Sequence, residues 1–187
     1  MLTHALSSPN VIAQKHSSWL RDLFLIGMGS VFIALCSPLS IQLPFTPVPL
    51  ALAPHLCLAL GAMLGSRRGA LAVLAYLFQG VMGLPVFALG ASGLLHLFAP
   101  RGGYLLGYVA ATYLTGYLIE RMQERSAYKT FLALAMGNGI IYVLGVAQLS
   151  LFIGFKSAVL LGVLPFLLGD ALKLLIVCKW TLSLDRR

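Results

Sequence analysis

Near the end of the 187-residue chain, the stretch GDALKLL places Asp170 three residues before Lys173 in an otherwise apolar run. On a helix the two share one face. Ionisable groups inside a membrane segment are costly unless they are paired or face a polar cavity. Two readings follow: a structural ion pair that neutralises itself, or an acceptor beside a donor at the floor of a pocket. A cyclic urea or lactam presents the matching pattern of N–H beside C=O, whereas a small carboxylate would need Lys173 alone. Arg101, in APRGGY, either clamps an anionic group or sits as an interfacial charge. Phe45, Phe87, Tyr104 and Tyr142 are candidate walls for an apolar ligand body. Phe45 and Phe87 stand out because they fall in loops, while Tyr142 also suits simple core packing. His55 and His96 are isolated and read as packing or interfacial residues. Asn138 reads as a capping or packing residue, and Gln79 as the maker of an interhelical hydrogen bond.

The elements that carry these residues are apolar almost throughout. Hydrophobic residues make up 59% of the chain and charged residues 10%, against roughly 25% charged in a soluble domain. That balance predicts a polytopic membrane protein. The net charge of +8 is scattered singly between apolar blocks and builds no basic face, so nucleic acid is not an expected partner. Cys36, Cys57 and Cys178 lie in apolar segments without zinc-ligand spacing and read as packing residues. No phosphate loop of the G-x-x-x-x-G-K-[ST] type and no H-E-x-x-H motif occurs. With only five carboxylates in the chain, paired-carboxylate and metal chemistry are poorly supported. No catalytic residue, metal site or cofactor is assigned.

Six apolar segments are expected, at about 23–39, 50–64, 69–81, 104–118, 131–152 and 165–181, with Pro165 opening the last. They predict an all-α integral membrane protein of six transmembrane helices, formed as one domain over 21–184. A polar lead-in at 1–20 precedes it and a short tail at 185–187 follows. Alternating crossings gather Lys15, Arg21, Arg67, Arg68, Arg121, Arg125, Lys129, Lys179, Arg186 and Arg187 on one side. By the positive-inside rule both termini are then cytoplasmic, in the cytoplasmic membrane. The opposite connections, IQLPFTPVP, GLPVFALGASGLLHLFAPRGG and GFKSAVLLGVLP, are long, apolar and rich in glycine and proline. Irregular backbone of this kind survives at membrane depth only when buried or lining a cavity. Those loops therefore predict a cap over an outward-facing pocket. Helix one also carries Ser30 and Ala34, a small-xxx-small spacing that admits a close helix neighbour.

The stretches SIQLPFTPVPL, GSRRGALAVLAYLFQGVMGLPVFALGASG, APRGGYLLGY and GVLPFLLGDALKLL resemble, in order, the signature stretches of the BioY family. That family comprises the biotin-binding S components of energy-coupling factor transporters, and the resemblance runs from about residue 21 to residue 182. It implies a six-helix fold with an outward biotin pocket capped by loops, and it assigns biotin contacts to Asp170 and Lys173. It also implies that Ser30 and Ala34 dock a coupling membrane subunit, with ATP hydrolysed by separate cytoplasmic ATPase subunits. Ser30 stands where the family commonly has alanine. LALAPHL replaces a stretch bearing threonine and glutamine at the start of helix two, and Leu89 replaces a glycine or polar residue.

In the biotin reading, Asp170 accepts a ureido N–H and Lys173 donates to the ureido C=O. Phe45 and Phe87 then pack on the bicyclic body, and Arg101 lies near the carboxylate. The reverse pose puts Lys173 on the carboxylate. The chain is expected to be a biotin-uptake subunit and not an enzyme. The rival readings are an S component for another small vitamin, an intramembrane enzyme on a lipid or prenyl substrate, and a purely structural subunit.

Overall fold

Proline and glycine punctuate the apolar runs, and most of the helices end beside those residues. The computed structural model describes the backbone of residues 9–185 and the side chains of 19–183. Residues 1–8 of the expected lead-in, residues 186–187 of the tail and the side chain of Lys15 lie outside the described residues. Helix α1 (Pro9–Cys36) stops just before Pro38. A short antiparallel ribbon follows, β1 (Ser40–Ile41) against β2 (Leu50–Ala51), with Ser40 opposite Ala51 and Ile41 opposite Leu50. Helix α2 (Ala53–Leu64) has proline in its first turn, where the missing N–H has no intrahelical partner to lose. Gly65, at a φ of 87° that suits glycine, separates it from α3 (Ser66–Val81). A 3₁₀ turn (Ala88–Gly90) and the single turn α4 (Leu95–Phe98) lead into α5 (Gly102–Glu120). The chain ends with α6 (Ala127–Ile153), α7 (Phe155–Gly162) and α8 (Leu167–Asp185).

Three boundaries differ from expectation. Helical backbone runs back from residue 23 to Pro9, through part of the polar lead-in. The segment FKSAVLLG, expected as loop, is helix α7, packed against α6. The last helix begins at Leu167 rather than at Pro165, and α7 and α8 meet at a bend of 51°. By length and composition, Trp19–Cys36 and Ala127–Ile153 can each cross a bilayer, and the bent α7–α8 pair makes a third candidate. Helix α2, with 12 residues, falls short of the roughly 20 needed to span alone. The chain is a membrane protein, and large side chains such as Phe24, Leu35, Phe78, Val143 and Ile176 project outward uncovered. Such an apolar exterior suits lipid.

Helix α5 is the hub, packing against α2, α3 and α6. Small residues make this possible. A Cβ on Gly69 would lie 2.9 Å from the Gly61 backbone, and one on Gly107 would lie 3.0 Å from that of Ile141. At Gly116 a Cβ would fall on the backbone of Ser66. Helices in lipid gain no hydrophobic drive from meeting, so close backbone approach supplies the dispersion contact instead. Polar pins sit among these contacts. At the end of α5, the Glu120 carboxylate accepts from Ser66 N and Ser66 Oγ, both at 2.7 Å, and so caps the exposed N–H groups of α3. Asp22 pairs with Arg68 at 2.9 Å across α1 and α3.

Gln79 Nε2 donates to Ser30 Oγ at 3.1 Å, the interhelical bond expected of it. That bond has a consequence for Ser30. It faces α3 and is 2% exposed, while Ala34 is 9% exposed in the core. The small-xxx-small pair is therefore spent inside the chain and is not part of the open face of α1. Cys57 and Cys178 are buried and Cys36 half-buried, all unpaired.

The glycine contacts yield a stability prediction. Gly116→Ala must push α5 from the α3 N-terminus and should lower stability by about 1–3 kcal/mol. Gly139→Ala, on α6 with open space around the new Cβ, should be neutral or slightly stabilising. Thermal unfolding of the two purified variants in detergent checks the contrast. Equal melting temperatures would contradict the packing account.

Candidate functional site

Three of the connections, 37–52, 82–101 and 154–166, gather at one end of the bundle, and a cavity lies beneath them. Polar bonds hold this cover together. Thr46 Oγ1 donates to Leu161 O at 2.6 Å, and Leu89 N donates to Ser40 Oγ at 2.8 Å. Gln148 of α6 reaches up so that its Nε2 donates to Leu97 O at 2.8 Å and Ala99 O at 2.7 Å. Those carbonyls belong to the turn that delivers Arg101 to the start of α5. Gly102 and Gly103 follow Arg101, and a Cβ on either would strike the backbone of Leu97 or Leu144. Tyr104 OH donates to Gly162 O at 3.0 Å and ties α5 to α7.

The walls are mainly apolar and aromatic: Val48, Pro49, Phe87, Tyr104, Tyr108 and Phe166. Phe87 is 1% exposed and packs edge-on to Tyr76 (5.9 Å, 82°) while stacking near His96 (6.0 Å, 25°). Gly80 leaves the room that the Phe87 ring fills. Tyr76 OH and Ser37 Oγ share a hydrogen bond of 2.7 Å behind it. Arg101 and Asn138 also line the cavity. No ion pair among the described residues involves Arg101, so its guanidinium is available to an anion.

At the base lie Asp170 and Lys173. Asp170 is 7% exposed. Its Oδ2 accepts from Tyr142 OH at 2.5 Å, and its Oδ1 accepts from Lys173 Nζ at 3.2 Å. His55 Nε2 stands 3.5 Å from the same Oδ1. A buried carboxylate is tolerable only with donors around it, and Tyr142 of α6 and Lys173 of α8 supply two. Both Asp170 and Lys173 still border the cavity. The arrangement offers a ligand one anionic acceptor and one cationic donor side by side, under an apolar, aromatic enclosure.

The model of the BioY family matches residues 8–187. The chain belongs to the BioY family. Among its relatives are the "Probable biotin transporter BioY" of Pyrococcus horikoshii, 36% identical over 149 residues, which cover 79% of this chain and 88% of that one. The "Biotin transporter BioY" of Thermotoga maritima is 34% identical over 169 residues, or 89% and 97% of the two chains. The fold matches that of the S-component for biotin from an ECF-type ABC transporter, with a TM-score of 0.85 and 22% identity over 91% of this chain and 94% of that one.

Within this BioY fold, Asp170, Lys173, Arg101, Phe87 and Tyr142 meet at one cavity. Phe45 does not. It sits in the turn between the ribbon strands, 57% exposed, with its ring outside the enclosure. Tyr142 proves to be more than core packing, because it holds the carboxylate. Asn138 lies well inside α6 (Ala127–Ile153) instead of opening a helix, and it faces the cavity, 6% exposed. His96 lines the wall rather than a membrane interface. Leu89 is half exposed and off the cavity, so its departure from the family pattern leaves the walls unchanged. The departure at helix two does reach the wall, through Ala51 and Pro54. His55 was missed as a site residue. Its one sequence signal was a histidine in an apolar helix start, and contact with residue 170 is invisible at that separation.

The pairing predicts an asymmetry. Lys173→Met leaves the buried Asp170 short of its cation and should cost on the order of 3 kcal/mol. Adding Asp170→Asn to that variant should recover most of the loss, because no uncompensated charge remains. Melting temperatures of the single and double variants in detergent measure it. A double variant less stable than Lys173→Met alone would contradict the pair.

Proposed function

We propose that the chain binds biotin and takes it up across the cytoplasmic membrane, as the substrate-capturing S component of an energy-coupling factor transporter. One observation carries this reading: Asp170 with Lys173 against it at the floor of an enclosed aromatic cavity, in a member of the BioY family. Biotin has a ureido ring with N–H beside C=O, an apolar bicyclic body and a carboxylate tail. Asp170 accepts a ureido N–H, Lys173 donates to the ureido oxygen, Phe87 packs on the body and Arg101 meets the carboxylate. A reversed pose, with the carboxylate on Lys173, uses the same residues. The cavity measures about 70 Å³, so in this reading biotin presses the covering segments outward.

In this reading the chain catalyses no reaction and holds no metal or cofactor. Energy comes from separate ATPase subunits through a coupling membrane subunit, consistent with a sequence that lacks a phosphate loop. In this reading six helices cross, the last of them α8, and both termini lie in the cytoplasm. The contact of Glu120 with Ser66 supports this arrangement, since it brings the basic turns at Arg67–Arg68 and Arg121 to one end of the bundle. A coupling subunit approaching α1 would meet Gly27 and Val31 on its open groove rather than the buried Ser30 and Ala34.

Equilibrium binding of labelled biotin to the purified chain tests the proposal. Wild type should bind at submicromolar ligand, and Asp170→Asn and Lys173→Ala should each weaken binding by about tenfold or more. Biotin methyl ester should bind less well if Arg101 holds the carboxylate, and Arg101→Gln should abolish that difference. A folded wild type that ignores biotin ends the proposal.

A further inference from the structure

His55 is the group at the base of the site that the ligand pose leaves unused. It is 3% exposed, and neither Nδ1 nor Nε2 has a hydrogen-bond partner among the described residues. Native proteins rarely leave two buried ring nitrogens unpaired. Asp170 Oδ1 stands 3.5 Å from Nε2, just outside bonding geometry. His55 is not itself a wall of the cavity, whereas Asp170 and the neighbouring Pro54 are. Its influence on a ligand must therefore pass through the carboxylate.

We propose that His55 is a positioning residue for the ligand-binding carboxylate: its Nε2–H closes onto Asp170 Oδ1 and orients the group toward the cavity. The proposal rests on the reading of Asp170 as the ligand's acceptor. A carboxylate offers about four lone-pair sites. Tyr142 takes one on Oδ2, Lys173 takes one on Oδ1, and His55 fills the second on Oδ1. One site on Oδ2 remains, enough for a single ligand N–H. The three donors arrive from different helices and so hold the carboxylate against rotation. Without His55, Oδ1 keeps an open site and the carboxylate can turn to offer it, which blurs the geometry presented to the ligand.

Two measurements test this. The first is biotin affinity in a double-mutant cycle. His55→Leu should weaken binding by roughly tenfold in the wild-type background and by far less in Asp170→Asn, because the coupling is through that carboxylate. His55→Gln, whose amide reaches the Nε2 position, should retain binding within about threefold, and the shorter His55→Asn should not. Equal losses in both backgrounds, or amides that behave alike, would mean a packing role only and overturn the proposal. If His55→Leu does not fold, the Gln and Asn pair decides. The second measurement needs no biotin. With ¹⁵N-labelled histidine, the ring assigned to His55 by its loss in His55→Gln should carry a proton on Nε2, and its resonance should move in Asp170→Asn. An Nε2 without a proton would overturn the proposal even where biotin binds. Absence of biotin binding alone would count against the proposed function and leave the spectroscopic result to decide the role of His55.

Discussion

A carboxylate removed from water in an apolar bundle must collect donors or lose its charge, and Asp170 imposes that demand on the rest of the chain. The donors cannot all come from its own helix. Lys173 reaches it from one turn along α8, but Tyr142 donates from α6, and His55 of α2 stands beside it. These three helices must converge at one level, and α5 lets them do so. Its glycine-lined faces draw α2, α3 and α6 close enough that the pocket floor is shared among elements distant in sequence. The small residues in the hub and the polar residues at the base are thus two parts of one solution. The close approach supplies packing, and the convergence supplies hydrogen bonds.

The cover over the cavity obeys a second constraint. Backbone that is neither helix nor strand must satisfy its N–H and C=O groups where no water reaches. Thr46, Ser40, Gln148 and Tyr104 do this with one or two side-chain bonds each to the backbone of connections far away in sequence. Each bond is modest in free energy, on the order of 1 kcal/mol. The cover is held by a few separable bonds. A cavity that must admit a ligand and then exclude water needs a cover of this kind. The same logic explains why Phe87 is fully buried while Phe45 faces out. Phe87 is anchored by Tyr76 and the space at Gly80, whereas Phe45 stands at the apex of a turn with no wall behind it.

Much of the architecture was legible in the residues alone. Apolar run length and the proline and glycine breaks marked the helices of the bundle to within a few residues at most ends, because those signals act locally on the backbone. The i, i+3 spacing announced the Asp170–Lys173 pair for the same reason: a helix sets that contact regardless of what surrounds it. The long apolar connections pointed to a capped pocket and to Arg101 within them, and the family motifs added biotin. Helix α7 was hidden because GFKSAVLLG suits loop or helix equally, and only its packing against α6 selects helix.

The partners of Asp170 across the bundle belong to tertiary structure. Nothing local distinguishes a packing tyrosine at position 142 from one that bonds a carboxylate, or a stray histidine at position 55 from one placed beside it. Ser30 and Ala34 make the point in reverse, since their spacing promised a close neighbour without saying whose helix it would be. The chain's own α3 takes the place. Sequence spacing determines which side chains share a face, because that follows from backbone periodicity. Which face meets which is decided only when the helices pack, because the free energy of that choice lies in contacts between residues far apart along the chain.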